Sequence, residues 1–132
     1  MSGRLAFLVL SCALSGACSP AAPARPSVLL VTLDTLRADH VGAYGERART
    51  PNLDRLAKEA TVFEHASAPM PMTRPSHFSL FTGRYPREHG VLSNALVLPD
   101  SEEVLAERLR DAGYRTAAFV AVSLLDADSG AG

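Results

Sequence analysis

Three short stretches of this sequence carry side chains that could do chemistry. Asp34 follows directly on the apolar run Val28-Leu29-Leu30-Val31-Thr32-Leu33. A carboxylate at the end of a buried strand is well placed to bind a hard divalent cation, which prefers oxygen ligands. An Asp at such a place also forms turns or caps helices, and taken alone the position favours that reading. Thr73 stands two residues before Pro75, in Met72-Thr73-Arg74-Pro75-Ser76-His77. Proline fixes a helix start, so Thr73 lies where first-turn N–H groups and the helix dipole favour an anion. A hydroxyl there could attack a sulfate or phosphate ester while the helix end stabilises the transferred group. Equally, Thr73 or Arg74 could do no more than cap the helix. His65, His77 and His89 are candidate ligands or proton donors, although a single loop histidine is more often a hydrogen-bonded surface residue.

The elements that must position these residues follow from patterning. Residues 28–33 are nearly continuous in apolar and β-branched types, which predicts a strand covered on both faces, as in a parallel sheet. Thr50-Pro51 opens a helix, with Thr50 as N-cap and Leu53, Leu56, Ala57 and Ala60 on one apolar face. Residues 61–65 predict a short second strand and 66–74 a Pro/Met-rich loop. Pro75 to Thr82 predicts a second helix closed by Gly83. Asp100 and Glu103 resemble a capping box opening a third helix, with Val104, Leu105, Leu109 and Ala112 inward and Gly113 at its end. Residues 114–122 predict a third strand. Strands alternating with helices imply an α/β layered domain with a parallel sheet, whose sites form at the carboxyl ends of strands.

The bulk numbers bound the function. The chain has 132 residues, 47% apolar and 20% charged, with a net charge of −1. One small domain with a packed core is expected. Nucleic acid is not expected as a partner, because phosphate binding needs a basic surface. The two cysteines, Cys12 and Cys18, lie in the first 18 residues, so the body of the domain has neither a disulfide framework nor a cysteine metal site. Arg4 followed by the apolar run Leu5 to Ala17 reads as a secretory signal, residues 1–17, too short to span a bilayer. Leu14-Ser15-Gly16-Ala17-Cys18 resembles a bacterial lipoprotein box, with its large aliphatic residue one position upstream of the usual place. Residues 18–26 form a Pro/Ala-rich tether. The expectation is an exported protein of the periplasm or cell envelope, touching a membrane only through a lipid on Cys18. The alternative is a plain secretory signal with an incidental cysteine.

Taken together the segments resemble one family, the sulfatases of the alkaline phosphatase superfamily. Pro26-Ser27-Val28-Leu29-Leu30-Val31-Thr32-Leu33-Asp34 is similar to their opening strand. Thr50-Pro51-Asn52-Leu53-Asp54-Arg55-Leu56-Ala57 is similar to their following helix. Thr73-Arg74-Pro75-Ser76-His77, then Ser79-Leu80-Phe81-Thr82-Gly83-Arg84-Tyr85-Pro86 and His89-Gly90-Val91, resemble the signature C/S-x-P-S-R…S-L-L-T-G-R-Y-P…H-G-V. The resemblance implies residues 27–132 as the N-terminal part of an alkaline-phosphatase-like parallel-sheet sandwich, incomplete here. It implies a Ca²⁺- or Mg²⁺-dependent hydrolase of small-molecule or glycan sulfate esters. Asp34, Thr35 and Thr73 would be metal ligands, and Thr73 and His77 catalytic residues. Arg37 and Asp39 match an Asp-Thr-x-Arg-x-Asp variant of the opening motif, or else form a local ion pair.

The departures bear on the nucleophile. Thr35 stands where many members have a second ligand Asp, and His77 replaces the signature Arg. Thr73 replaces the Cys or Ser that sulfatases convert to formylglycine, so formylglycine is not expected. Thr73 instead resembles the nucleophile of phosphodiesterases and phosphoethanolamine or phosphoryl transferases, which is the alternative function. A non-catalytic exported lipoprotein remnant is the third reading. The remaining ligands of the family come from later segments, so residues 27–132 alone are expected to be inactive and poorly stable.

Overall fold

The computed structural model describes residues 25–130. The signal segment 1–17, Cys12, Cys18 and the tether through Ala24 lie outside the described residues. The chain divides into two units, Met1–Val31 and Thr32–Gly132. In the first, the described residues 25–31 are exposed and carry no regular element.

The second unit is helical. Its elements are α1 (Pro51–Glu59), α2 (Thr73–Thr82), α3 (Pro86–His89) and α4 (Leu105–Asp111), with 3₁₀ turns at Ala38–His40, Ser123–Leu125 and Ala127–Ser129. The strands expected at 28–33, 61–65 and 114–122 are not formed, and no strand occurs among the described residues. Strand backbone needs a hydrogen-bonding neighbour. Among the described residues none of the three stretches has a neighbouring strand, and they lie open: Leu29 is 86% exposed and Phe119 fully so. The α/β expectation therefore stands on family resemblance, and the sheet is not seen here.

The core gathers around α2. Phe78, Val91, Leu98, Val104 and Leu125 are buried together, with Phe81 and Val122 packed against them. Full burial of a side chain such as Phe78 stabilises by roughly 1.5–3 kcal/mol relative to water. Gly83 ends α2 in the left-handed region, at φ 71°, and its N–H closes on the Ser79 carbonyl at 2.9 Å. A glycine takes that conformation without Cβ strain. Pro86 and Glu88 then set α3, which the sequence reading passed over. Glu88 Oε2 accepts the Tyr85 N–H at 2.7 Å, and Gly90 closes the turn at φ 78°.

Two helix expectations need correction. The third predicted helix begins at Leu105, with Val104 before it and Glu107 three residues on, whose carboxylate accepts the Val104 N–H at 3.1 Å. Asp100 and Glu103 do not form the box. The Glu102 N–H turns back on the Pro99 carbonyl, and Glu103 pairs with Arg108 at 2.8 Å. Leu105 and Ala112 face solvent, while Val104 is buried and Leu109 half-buried. In α1, Leu53 and Ala57 are half-buried, but Leu56 and Ala60 are exposed. Thr50 precedes the helix as expected, yet its hydroxyl accepts the Gly42 N–H and donates to Asp54, both at 2.7 Å, instead of capping a first-turn amide.

Candidate active site

The start of α2 is built by contacts from far along the chain. Met72, in the N-cap position, has no side-chain oxygen for the helix amides. Asn94 takes that role: its Oδ1 accepts the Arg74 N–H at 2.9 Å. The Arg74 guanidinium donates from Nε to the Leu124 carbonyl at 2.7 Å and from Nη1 to the Leu96 carbonyl at 3.2 Å. Pro75 has no N–H, and the Ser76 N–H goes to the Met72 carbonyl at 3.2 Å. Of the four amides that a helix start leaves open, that of Arg74 is thus taken by Asn94 and that of Pro75 is missing, fewer donors than a bare start would present.

Thr73 faces a cavity of about 1210 Å³, shared with Asp34, Thr35, Ser76, His77 and Asn94. The Thr73 hydroxyl donates to Asp34 Oδ2 at 3.3 Å, across 39 positions of sequence. This is long for a hydroxyl–carboxylate bond, as catalytic hydrogen bonds often are before substrate binds. Thr35 sits beside Asp34 with φ 55°, the only positive φ at a non-glycine among the described residues. For a β-branched residue that conformation is strained.

Of the histidines the sequence offers, His77 stays at this cavity, while His65 and His89 lie outside it. His77 is buried, and its Nδ1 lies 2.9 Å from the Thr73 carbonyl. A carbonyl only accepts, so Nδ1 carries a proton, and in the neutral tautomer Nε2 holds the lone pair. The ring packs edge-on against Phe81 at 6.0 Å. His89 is also buried, with Nδ1 accepting the Val91 N–H at 3.2 Å and Nε2 therefore donating to Ser79 Oγ at 3.0 Å. It is a structural residue. His65 is exposed and apart from Thr73 and Asp34, outside the cavity they share. Arg37 and Asp39 form the local ion pair, through contacts of 3.0 and 2.9 Å, and Arg47 joins Asp39 at 2.8 Å. The Arg37 hydrogen bond holds the Asp39 carboxyl below its ordinary range.

Asn94 and the clamp made by Arg74 escaped the sequence reading. Asn is a capping type, but Asn94 lies 20 residues from the amide it caps, and only the fold connects them.

Beside the His77 ring, the Asn94 amide and Arg84, the cavity is lined by one carboxylate, that of Asp34, and several hydroxyls, those of Thr35, Thr73 and Ser76 among them. Those oxygens suit a hard divalent cation, which takes about six such ligands. Among the described residues no three His, Cys, Asp or Glu side chains cluster. Asp34 and Thr73, with Thr35 adjacent, thus fit such an ion as part of a ligand set.

Comparison with known proteins converges on one family. The sulfatase family model matches residues 26–129. N-acetylgalactosamine-6-sulfatase of Canis lupus familiaris is 39% identical over 86% of this chain and 24% of its own length. The ulvan-active sulfatase of Formosa agariphila is 38% identical over 72% of this chain and 19% of its own. The steryl-sulfatase of Mus musculus is 36% identical over 89% of this chain and 20% of its own. The chain spans about a fifth to a quarter of the length of these relatives. No solved structure matches it. With the family model matching residues 26–129, from the segment before Asp34 through the Thr73 helix to the 3₁₀ turn at Ala127–Ser129, the chain belongs to the sulfatase family.

Proposed function

We propose that this chain carries the nucleophile-bearing part of a sulfate ester hydrolase. The observation that carries the reading is the Thr73 hydroxyl on Asp34 Oδ2, two residues that the fold brings together on one cavity. Relatives named for sulfated galactosamine, ulvan and steroid substrates support a glycan or small-molecule sulfate ester.

Asp34 orients the Thr73 hydroxyl and draws on its proton. Thr73 Oγ1 attacks the ester sulfur; the Oγ1–S bond forms as the S–O bond to the alcohol breaks, and the alcohol leaves with a proton. Water then attacks the threonine sulfate, releasing inorganic sulfate and restoring the hydroxyl. His77 Nε2, with its lone pair and its ring anchored through Nδ1, is suited to accept the proton of that water. Asn94 holds its Oδ1 on the helix start, which leaves its Nδ2 as a donor at the cavity wall for an ester oxygen. A Ca²⁺ or Mg²⁺ ion held by Asp34, Thr73 and Thr35 would supply positive charge to the ester oxygens and acidify the hydroxyl. Formylglycine has no part in this reading, because Thr73 occupies its position.

Family membership supports the alkaline-phosphatase-like parallel-sheet sandwich as the complete fold. The signal segment and Cys18 support export to the cell envelope with a lipid anchor, which mass spectrometry of the mature N-terminus checks. A second reading, transfer from a phosphodiester to Thr73, is favoured by the unmodified secondary hydroxyl itself.

The test is turnover of p-nitrophenyl sulfate and bis(p-nitrophenyl) phosphate by the whole protein, this chain together with the length its relatives have beyond it, and by its Thr73→Ala variant. Thr73→Ala is expected to cost at least about a thousandfold in kcat, and acid-quenched wild-type protein to yield a peptide sulfated on Thr73. A phosphorylated peptide selects the second reading. Full activity in Thr73→Ala sinks both.

A further inference from the structure

The arginine next to Thr73 invites the reading that it grips the anionic substrate. Its contacts say otherwise. Arg74 is not among the residues lining the cavity. Its guanidinium forms no ion pair among the described residues, and two of its N–H groups go to backbone carbonyls, those of Leu96 and Leu124. These carbonyls lie 22 and 50 positions away in sequence. The segments that carry them are themselves joined, since the Leu98 N–H donates to the Ser129 carbonyl at 3.1 Å and Leu98 and Leu125 share the core. The Arg74 backbone N–H meanwhile goes to Asn94, on the first of those segments. One residue, adjoining Thr73, thus fastens the start of α2 to both.

We propose that Arg74 is a positioning residue: its forked guanidinium locks the helix start to segments 94–98 and 122–129 and so fixes where the Thr73 hydroxyl stands. The planar fork suits two carbonyls at a fixed separation, which a lysine ammonium on a flexible stem does not reproduce. The claim about catalysis rests on Thr73 being the reacting hydroxyl; the claim about the clamp does not.

Two readouts on the whole protein keep these apart. Hydrogen exchange at the Leu98 and Leu125 amides is expected to quicken about tenfold or more in Arg74→Ala, because a charge-assisted hydrogen bond to each segment is lost. Under the same variant kcat for p-nitrophenyl sulfate is expected to fall about 10- to 100-fold with KM nearly unchanged, and to recover partly on adding ethylguanidinium. Arg74→Lys keeps the charge and is expected to fall between the two. Unchanged exchange in Arg74→Ala overturns the clamp. Unchanged kcat, in a protein that Thr73→Ala inactivates, overturns the positioning role. Arg74→Lys matching wild type in both readouts overturns the need for the fork. If Thr73→Ala remains active, the nucleophile reading fails, and the clamp stands or falls on exchange alone.

Discussion

The two halves of the second unit hold the two halves of the site in opposite ways. Residues 73–129 contain every buried side chain of the described structure, Phe78, His89, Val91, Leu98 and Leu125 among them. Residues 32–67 contain none, although they include α1 and a run of apolar types. Thr73 stands on the packed half, with its helix start held by Asn94 and by two carbonyls. Asp34 stands on the open half and reaches Thr73 through a single 3.3 Å bond. On the proposed reading, Thr73 is then a nucleophile fixed by its surroundings, and Asp34 a carboxylate with fewer contacts to hold it as a ligand enters.

The contrast can be broken by mutation, most severely in the core. Phe78→Ala removes a fully buried ring and is expected to destabilise by about 3–5 kcal/mol, measured by urea unfolding. An equivalent truncation of exposed Leu56 should stay within about 0.5 kcal/mol. Asn94→Ala removes the cap of α2 and is expected to cost about 1 kcal/mol, with faster hydrogen exchange at Arg74 than at any amide of residues 32–67. Thr35→Gly works in the other direction. Relief of the left-handed strain should raise stability by up to about 1 kcal/mol, and a loss instead would show that the Thr35 side chain makes a contact worth the strain. The smallest effect is electrostatic. Asp39 is held below its ordinary range by Arg37, so its contribution is present above the unfolded carboxylate value of about 4 and is lost as pH falls through the lower folded value. Carbon NMR titration of the carboxyl checks this, and an ordinary midpoint would contradict it.

How much of this the sequence discloses varies with the range of the interactions involved. Helix α2 is legible because Pro75 and Gly83 act within a few residues of themselves, although it starts two residues earlier than Pro75 suggests. Asp34 and Thr73 stand out in the sequence as candidates beside an equally available turn or cap role, and the structure joins them by one hydrogen bond. The strands were not: apolar β-branched runs at 28–33 and 114–122 state a preference that only a neighbouring strand can satisfy. The box at Asp100 and Glu103 has the right spacing, but Glu102 and Glu103 are drawn to Arg84 and Arg108. Asn94 and the bonds from Arg74 to Leu96 and Leu124 depend on contacts 20 to 50 residues apart, for which no local pattern exists.

The crowded helix start has a consequence for discrimination. A bare first turn presents several amides and welcomes the most highly charged anion on offer, which among esters is the phosphate monoester dianion. Here one of those amides is spent on Asn94 and one is missing at Pro75, and Asp34 stands opposite. On the proposed reading, a helix end with two fewer open amides gains little from a second negative charge, and the choice between monoanion and dianion passes to Asp34 and the cation it would hold.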